Sequence, residues 1–564
     1  MIALDWIVLI GTLLFIILYG VYRARGNDSM SGYLRGGNSM GWGTIGLSVM
    51  ATQASAITFL STPGQAYESG MAFVQNYFGL PLAIIIVSYV FIPIYYRLKV
   101  YTAYEYLEGR FDTKSRVLAA FIFLVQRGMG AGITIYAPAI ILSKVLGLNL
   151  NLTILIVGIL VVLYTVSGGT KAVSLTQKYQ MLVIFGGLFI AFGILIYKLP
   201  EAVGFQDALG FAGAAGKLNA IDFSFDLEKR YTFWSGITGG LFLSLGYFGS
   251  DESQVQRYLG GSNITQSRLG MLFNAVLKIP MQFFILFVGV MLFVFYQFEQ
   301  PPVFFNESEL NKIESAEQRN RLDTLSKAYT QWHQENKSYL LELAVSENEI
   351  SQDDKERIMA SSQEGVAIRT QVKDLLIEAD ESANVKDSDY VFISFVMKYL
   401  PHGIIGLLLA VIFSAAMSST AGELNALGST TVVDIHKRFI VRHGTDRHYL
   451  NTSKWITAIW GIIAIVFAFF ASLVENLIEF VNIIGSIFYG TVLGIFLVAF
   501  FVKWVKGNAV FFAAVLVQLF IFFIHYQVVQ GNWQLSYLMY NLIGCSLVVI
   551  ISMIFQFVLN KSTK

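Results

Sequence analysis

Two stretches of this 564-residue chain crowd oxygen-bearing side chains into segments that are otherwise apolar. The first, Phe413-Ser-Ala-Ala-Met-Ser-Ser-Thr-Ala-Gly-Glu-Leu-Asn425, pairs the hydroxyls of Ser418 and Ser419 among small residues, with the Glu423 carboxylate a turn later. The second, Ser48 to Gly64, gathers Thr52, Gln53, Ser55, Thr58, Ser61 and Thr62 ahead of Pro63-Gly64. Polar groups at membrane depth are costly unless they face protein or a cavity. A helix interrupted there frees backbone carbonyls, and hard cations take oxygen ligands of that kind. Pro63-Gly64 is expected to interrupt the first-half segment, and 413–425 to be a second polar interruption. Carbonyls from one broken helix and the Ser418 and Ser419 hydroxyls from another then make an uncharged, all-oxygen shell. Such a shell suits a monovalent cation that must leave again on each cycle. For one segment alone, a kinked helix whose hydroxyls bond back to its own carbonyls is the simpler account. The pairing of two such segments is what points to an ion site.

The elements that would hold these groups are legible in the composition. Hydrophobic residues make up 55% of the chain and charged residues only 14%, where a soluble protein carries about a quarter. The apolar residues fall in runs of the length that spans a bilayer core. They lie near 5–22, 41–66, 75–96, 117–146, 152–166, 179–197, 232–249, 271–298, 391–422, 455–474, 478–502, 508–529 and 536–559, thirteen spans in all. Lys and Arg concentrate in alternate connections, from Arg23, Arg25 and Arg35 through Lys99 and Lys437 to Lys564, while the opposite short connections hold little beyond Lys198, Lys217, Lys229 and Arg230. That bias puts the N-terminus outside and the C-terminus in the cytoplasm. Asp5, with no basic region before the first run, is expected to belong to a retained first helix rather than a cleaved signal. A single cysteine, Cys545, excludes an intramolecular disulfide. No His/Cys cluster, phosphate-binding loop or hydrolase triad supports an enzyme. No filter-like loop or ring of acids supports a channel.

One connection is anomalous. Residues 303–390 carry 19 acidic against 10 basic residues. Within them Leu322, Leu325, Tyr329 and Trp332, then Tyr339, Leu340, Leu343 and Val345, recur at helical spacing. A small helical insert on the outer face is expected, either functional or a solvated spacer.

Several further motifs accompany these patterns: Tyr33-Leu-Arg-Gly-Gly37, Ala51-Thr-Gln-Ala-Ser-Ala-Ile-Thr58, Tyr96-Arg-Leu98, Thr102-Ala-Tyr-Glu-Tyr-Leu-Glu108, Arg110-Phe111, Tyr164-Thr165, Gly168-Gly169, Ala172-Val173, Gln254-Val-Gln-Arg-Tyr258, Leu277-Lys278, and Ser418-Ser419 with Asn425. Together they resemble the sodium/solute symporter family, whose members carry glucose, iodide, monocarboxylates or sialic acid, over nearly all of the chain except 303–390. The resemblance implies an all-α polytopic membrane protein with a LeuT-type inverted repeat of five plus five helices, flanked by one helix before and two after. The corresponding division is 1–40 (first helix and cytoplasmic loop), 41–250 (first repeat plus the first helix of the second), 251–302 (seventh core helix), 303–390 (insert), 391–502 (rest of the second repeat) and 503–564 (two C-terminal helices). It also implies a sodium site built from the carbonyls of Ala51, Ala54 and Ala415 with the hydroxyls of Ser418 and Ser419. A second sodium site found in some members needs an aspartate and two further serines, and here those places read Gln177 and Ala421-Gly422. One coupled sodium per cycle is therefore expected.

For the solute, the resemblance to sialic acid transporters implies Ser55, Thr58, Phe73 and Tyr77 in the pocket, with Gln53 between ion and solute. Gly130 stands where that group has an arginine, and Arg127 lies one helical turn away. Arg127 either reads a carboxylate bidentately or pairs with a buried acid such as Asp251 or Glu252. Lys278 and Asp251 are expected to be gate or structural residues, with Asp251 and Glu252 at a solvated inner helix end. Glu423 has no assigned role. The expected function is sodium-coupled import of a sugar-like, possibly carboxylated solute through the cytoplasmic membrane, with lipid, sodium and solute as partners and no nucleic acid. The alternatives are a neutral sugar, inositol or monocarboxylate symporter, and a transporter-like sensor that signals through the outer insert.

Overall fold

The computed structural model describes residues 1–24, 39–98, 100–226, 228–346, 350–381, 383–471 and 477–562. The motif at 33–37, together with Arg25, Arg35, Lys99 and Lys564, lies outside them. The regular secondary structure of the described residues is helical, apart from one isolated bridge between Met40 and Gly261. A segment buried in hydrocarbon has to satisfy its own backbone groups, and a helix does so without a partner strand. Among the described residues nine helices are long and apolar enough to cross a membrane, and Ala3–Ile16 and Leu150–Val166 are shorter apolar helices.

In chain order, α1 is Ala3–Ala24, α2 Trp42–Gln53 and α3 Ala56–Ser69. A 3₁₀ segment, Gly70–Tyr77, leads into α4 over 80–98. Then come α5 (Thr113–Leu146), α6 (Leu150–Tyr197), α7 (Gly239–Ser250), α8 (Glu252–Leu259) and α9 (Ile264–Phe298). The insert supplies α10 (Ala316–Val345), which holds all the residues that recur at helical spacing, and a second helix, α11 (Gln352–Ala379). The chain returns as α12 (Ser388–Tyr399), α13 (Ile404–Thr430), α14 (Asp446–Phe470), α15 (Leu477–Phe501), α16 (Gly507–Val529) and α17 (Met539–Ser562). α13 is the hub: it packs against α1, α2, α5, α6, α8 and α14.

The breaks differ from expectation. Pro63-Gly64 does not interrupt its helix; both lie inside α3. The interruption falls at Ala54–Ser55, where Ser55 takes the extended conformation of an N-cap (φ −77°, ψ 174°). Pro63 and Gly64 are sites of close approach instead. A Cβ on Gly64 would stand 1.9 Å from the Ser388 carbonyl oxygen, and one on Gly289 of α9 would stand 2.2 Å from that of Pro63. α3 is thus clasped backbone to backbone between α9 and α12.

The expected interruption at 413–425 is absent too, because α13 runs unbroken through it. The second discontinuity lies at Asp251, extended (ψ 117°) between α7 and α8. The single run expected at 391–422 is two helices. Proline cannot continue a helix and Gly403 adopts φ +87°, so the chain turns at Pro401–Gly403. There the Asp5 carboxylate accepts from the Gly403 N–H (2.5 Å) and lies 2.9 Å from His402 Nδ1.

The runs at 152–166 and 179–197 join in one helical assignment, α6. Twelve residues along a straight helix would separate Tyr164 and Thr176 by about 18 Å. Their hydroxyls instead lie 3.0 Å apart, so the chain bends sharply between them. The bend delivers Ser174 and Gln177 to the α2–α13 interface.

Candidate functional site

Where α2 ends, the last carbonyls of the helix, that of Ala51 among them, lose their intrahelical donors. Ala51, Ala54 and Ala415 are all buried. Gln177 holds this end of α2 against α13: its Nε2 donates to Thr52 Oγ1 (3.1 Å) and to the Ser418 carbonyl (3.4 Å), and its Oε1 accepts from Ser48 (2.5 Å). A Cβ on Gly422 would lie 2.7 Å from Arg257 Nη2, so the glycine leaves room for that guanidinium, and 3.4 Å from Thr52 Cγ2, an ordinary contact across the interface. Two of the hydroxyls bond back to their own helices, Thr52 to Ser48 O (2.9 Å) and Ser419 to Ala415 O (3.1 Å). Ser418 does not. Its hydroxyl is buried and has no hydrogen-bond partner. An unsatisfied hydroxyl on the helix that Gln177 ties to the end of α2, among uncharged oxygens, is donor chemistry that suits a bare monovalent cation.

Beside this interface lies a cavity of about 110 Å³, room for several waters or a small solute that displaces them. Of the six residues expected to meet the solute, Gln53, Ser55, Thr58, Tyr77 and Arg127 line it. Phe73 does not. It packs behind Tyr77 and against Tyr231, with ring centroids 5.8 and 5.2 Å apart. The reason is the 3₁₀ geometry of Gly70–Tyr77. Positions four apart share a face in an α-helix but diverge at three residues per turn. Gln53 Oε1 and Asn76 Oδ1, both from lining residues, are buried acceptors without donors.

Arg127 sits at the centre of an ion cluster. Its Nη1 donates to Glu423 (2.9 Å), and its Nη2 donates to Asp251 and to the Tyr489 hydroxyl (2.5 Å). Glu423 also accepts from Thr134 (2.8 Å), and Asp251 accepts from Tyr489 (2.7 Å) and caps α8 at Ser253 N (2.9 Å). One guanidinium is shared by two carboxylates, and its Nε has no partner. Asp251 and Glu252 are therefore not a solvated helix end. Both are fully buried, and Glu252 accepts from Ala103 N (2.9 Å). Asp251, extended at the second break, can face Arg127 while its other oxygen caps α8. Lys278 is buried and has no acidic partner among the described residues; its ammonium lies 5.6 Å from the Tyr77 ring centre.

Sequence reasoning offered Asp251 as a partner of Arg127, as found, but missed its pairing with Glu423 and Tyr489 and the bridge of Gln177 with Ser48. Glu423 and Gln177 stand at the edges of apolar runs, and their partners lie 125 to 296 residues away.

The model of the sodium:solute symporter family matches residues 33–307 and 378–516, leaving out most of the insert. Sodium-coupled monocarboxylate transporter 2 of Mus musculus is 33% identical over 277 residues, 48% of this chain and 44% of that protein. The sodium/iodide cotransporter of Homo sapiens is 34% identical over 276 residues, 48% of this chain and 42% of that protein. The matches thus span less than half the length of these relatives. A putative sodium-dependent multivitamin transporter of Drosophila melanogaster is 26% identical over 513 residues, 90% of this chain and 72% of its own. Among solved structures, a substrate-bound, outward-open Na⁺-coupled sialic acid symporter superposes with a TM-score of 0.74 at 23% identity over 98% of both chains. That likeness shows the fold.

Proposed function

Because the chain belongs to the sodium:solute symporter family, we propose that it is a multi-pass membrane symporter in which sodium moving down its gradient drives a small polar solute inward. The observation that carries this reading is the buried, unpartnered Ser418 hydroxyl on the helix that Gln177 ties to the broken end of α2. Sodium on Ala51, Ala54, Ala415, Ser418 and Ser419 would tie α2 to α13 and preform the cavity wall at Gln53 and Ser55. Ion and solute then raise each other's affinity by the same factor. We read the breaks at Ala54–Ser55 and Asp251 as counterparts in two five-helix halves of an inverted repeat. The lysine and arginine bias of the connections favours thirteen spans with an outside N-terminus and a cytoplasmic C-terminus, in the plasma membrane. Gln177 offers an amide already bonded to Ser48 and Thr52, and Ala421 offers no side-chain oxygen, which favours one sodium per cycle.

The solute we favour is neutral and rich in hydrogen-bond donors, such as a sugar or inositol. Arg127 is held by two carboxylates, so a carboxylated solute would have to displace one of them, whereas Gln53 Oε1 and Asn76 Oδ1 await donors. The names of the relatives keep a monocarboxylate as the competing reading. Uptake of labelled glucose, inositol, sialic acid and lactate into proteoliposomes, with and without a sodium gradient, tests both. Sodium-driven accumulation of a neutral solute is expected. Uptake of every solute indifferent to sodium would refute symport, and accumulation of lactate alone would refute the solute assignment.

A further inference from the structure

A second cavity, of about 270 Å³, lies between the insert and the bundle. α10 and α11 supply one wall, and the last turns of α3 and α9 the other. Five rings line it: Tyr67, Phe293, Tyr296, Tyr329 and Trp332. Tyr329 and Trp332 stack on each other with centroids 5.1 Å apart. Among the rings stand three cations, Lys217, Arg369 and Lys373, against the Glu68 carboxylate. Asp387, behind Arg369, accepts from its Nη2 at 2.6 Å.

The cations are incompletely matched. Arg369 is only 9% exposed, and its Nη1 is buried without an acceptor. Lys373 is 3.7 Å from Glu68 and 3.8 Å from Asp387, longer than a hydrogen bond in both cases. Lys217 donates to the Glu68 main-chain oxygen (2.5 Å) and lies 4.8 Å from the centre of the Phe293 ring. Leaving a buried guanidinium nitrogen unpaired is costly. A mostly apolar, aromatic hollow with a few converging polar groups is the usual form of a small-molecule site. Here the converging side chains are chiefly donors, and they are cationic.

We propose that this cavity is a second ligand site, separate from the central one, that takes a small organic anion with a flat apolar body. The carboxylate meets Arg369 Nη1 together with Lys217 or Lys373, and the body lies among the rings. Burial pushes the Lys217 ammonium down to about 8, and a bound anion favours its charged form. An occupant touches Tyr67 and Glu68 at the end of α3, the helix that lines the central cavity at Thr58, and so ties that helix to the insert.

The test is calorimetric titration of the full-length protein in detergent with potassium benzoate, in sodium-free buffer. Benzoate is expected to bind once per chain, with benzyl alcohol about tenfold weaker because it lacks the charge. Lys217→Ala and Lys373→Ala should each weaken benzoate severalfold while staying monodisperse, Lys373→Arg should restore it, and Gln53→Ala in the central cavity should leave it unchanged. Absence of benzoate binding at millimolar concentration, equal binding of the alcohol, or loss in Gln53→Ala with retention in the lysine variants would each overturn the proposal.

Discussion

Ser418→Ala separates the ion site from the fold. The Ser418 hydroxyl is buried and has no hydrogen-bond partner, so deleting it removes no internal hydrogen bond. Removing a buried polar group that has no partner is close to neutral for stability or slightly favourable. With sodium bound, the same oxygen is one of five proposed ligands. An interaction between a hydroxyl and a full charge contributes about 1.5–3 kcal/mol, or about ten- to a hundredfold in affinity. At sodium about 100 times the Kd, binding adds about 2.7 kcal/mol of stability, and a site weakened about thirtyfold retains only about 0.9 kcal/mol. The assay is thermal denaturation of purified protein across a sodium series at constant ionic strength, paired with sodium-dependent uptake. Ser418→Ala should match the wild type without sodium, lose most of the sodium-induced rise in Tm, and need at least tenfold more sodium for half-maximal uptake. Ser414→Ala is the control: its hydroxyl is equally buried and unpartnered on α13, one turn away, but lies outside the proposed shell. A wild-type sodium shift in Ser418→Ala, or an equal loss in Ser414→Ala, would refute the reasoning.

Gly64→Ala places a methyl group where the Ser388 carbonyl stands, so α3 and α12 must part; a loss of about 1–3 kcal/mol or more is expected. Gly43→Ala, which meets nothing within 4 Å, should keep the wild-type melting profile in size-exclusion thermostability assays. Arg127→Ala strands two buried carboxylates and should cost about 3–5 kcal/mol, whereas Arg127→Met combined with Glu423→Gln should recover part of the loss; equal Tm values for these two variants would argue against the cluster. Lys217 has a folded pKa of about 8 against 10.5 when unfolded, so between those values the unfolded chain binds more protons and stability rises with pH. The wild-type Tm should therefore gain over pH 8–10.5 relative to Lys217→Met, and parallel profiles for the two proteins would exclude that assignment.

What the sequence alone determined is what depends on neighbours along the chain. Run length located the apolar helices, because a bilayer core has a fixed thickness. Helical spacing at Leu322, Leu325, Tyr329 and Trp332 found α10, and oxygen-bearing residues in apolar text marked α2, α3 and α13 as the walls of a polar site. The local rules misled where a neighbouring helix supplied the decisive contact. Proline and glycine at 63–64 read as a break, yet α9 and α12 clasp that turn and the chain opens at Ala54–Ser55 instead. The resemblance put both Phe73 and Tyr77 in the pocket, but the segment winds as a 3₁₀ helix and only Tyr77 lines it. Arg127 read as a ligand either for the solute or for a buried acid such as Asp251 or Glu252. Only the packing of α5 against α13 and α15, with the break at Asp251, committed it to Glu423, Asp251 and Tyr489. Burial in a medium without water forces a charge to find its counter-charge, but which one is a fact of tertiary geometry that no spacing along the chain encodes.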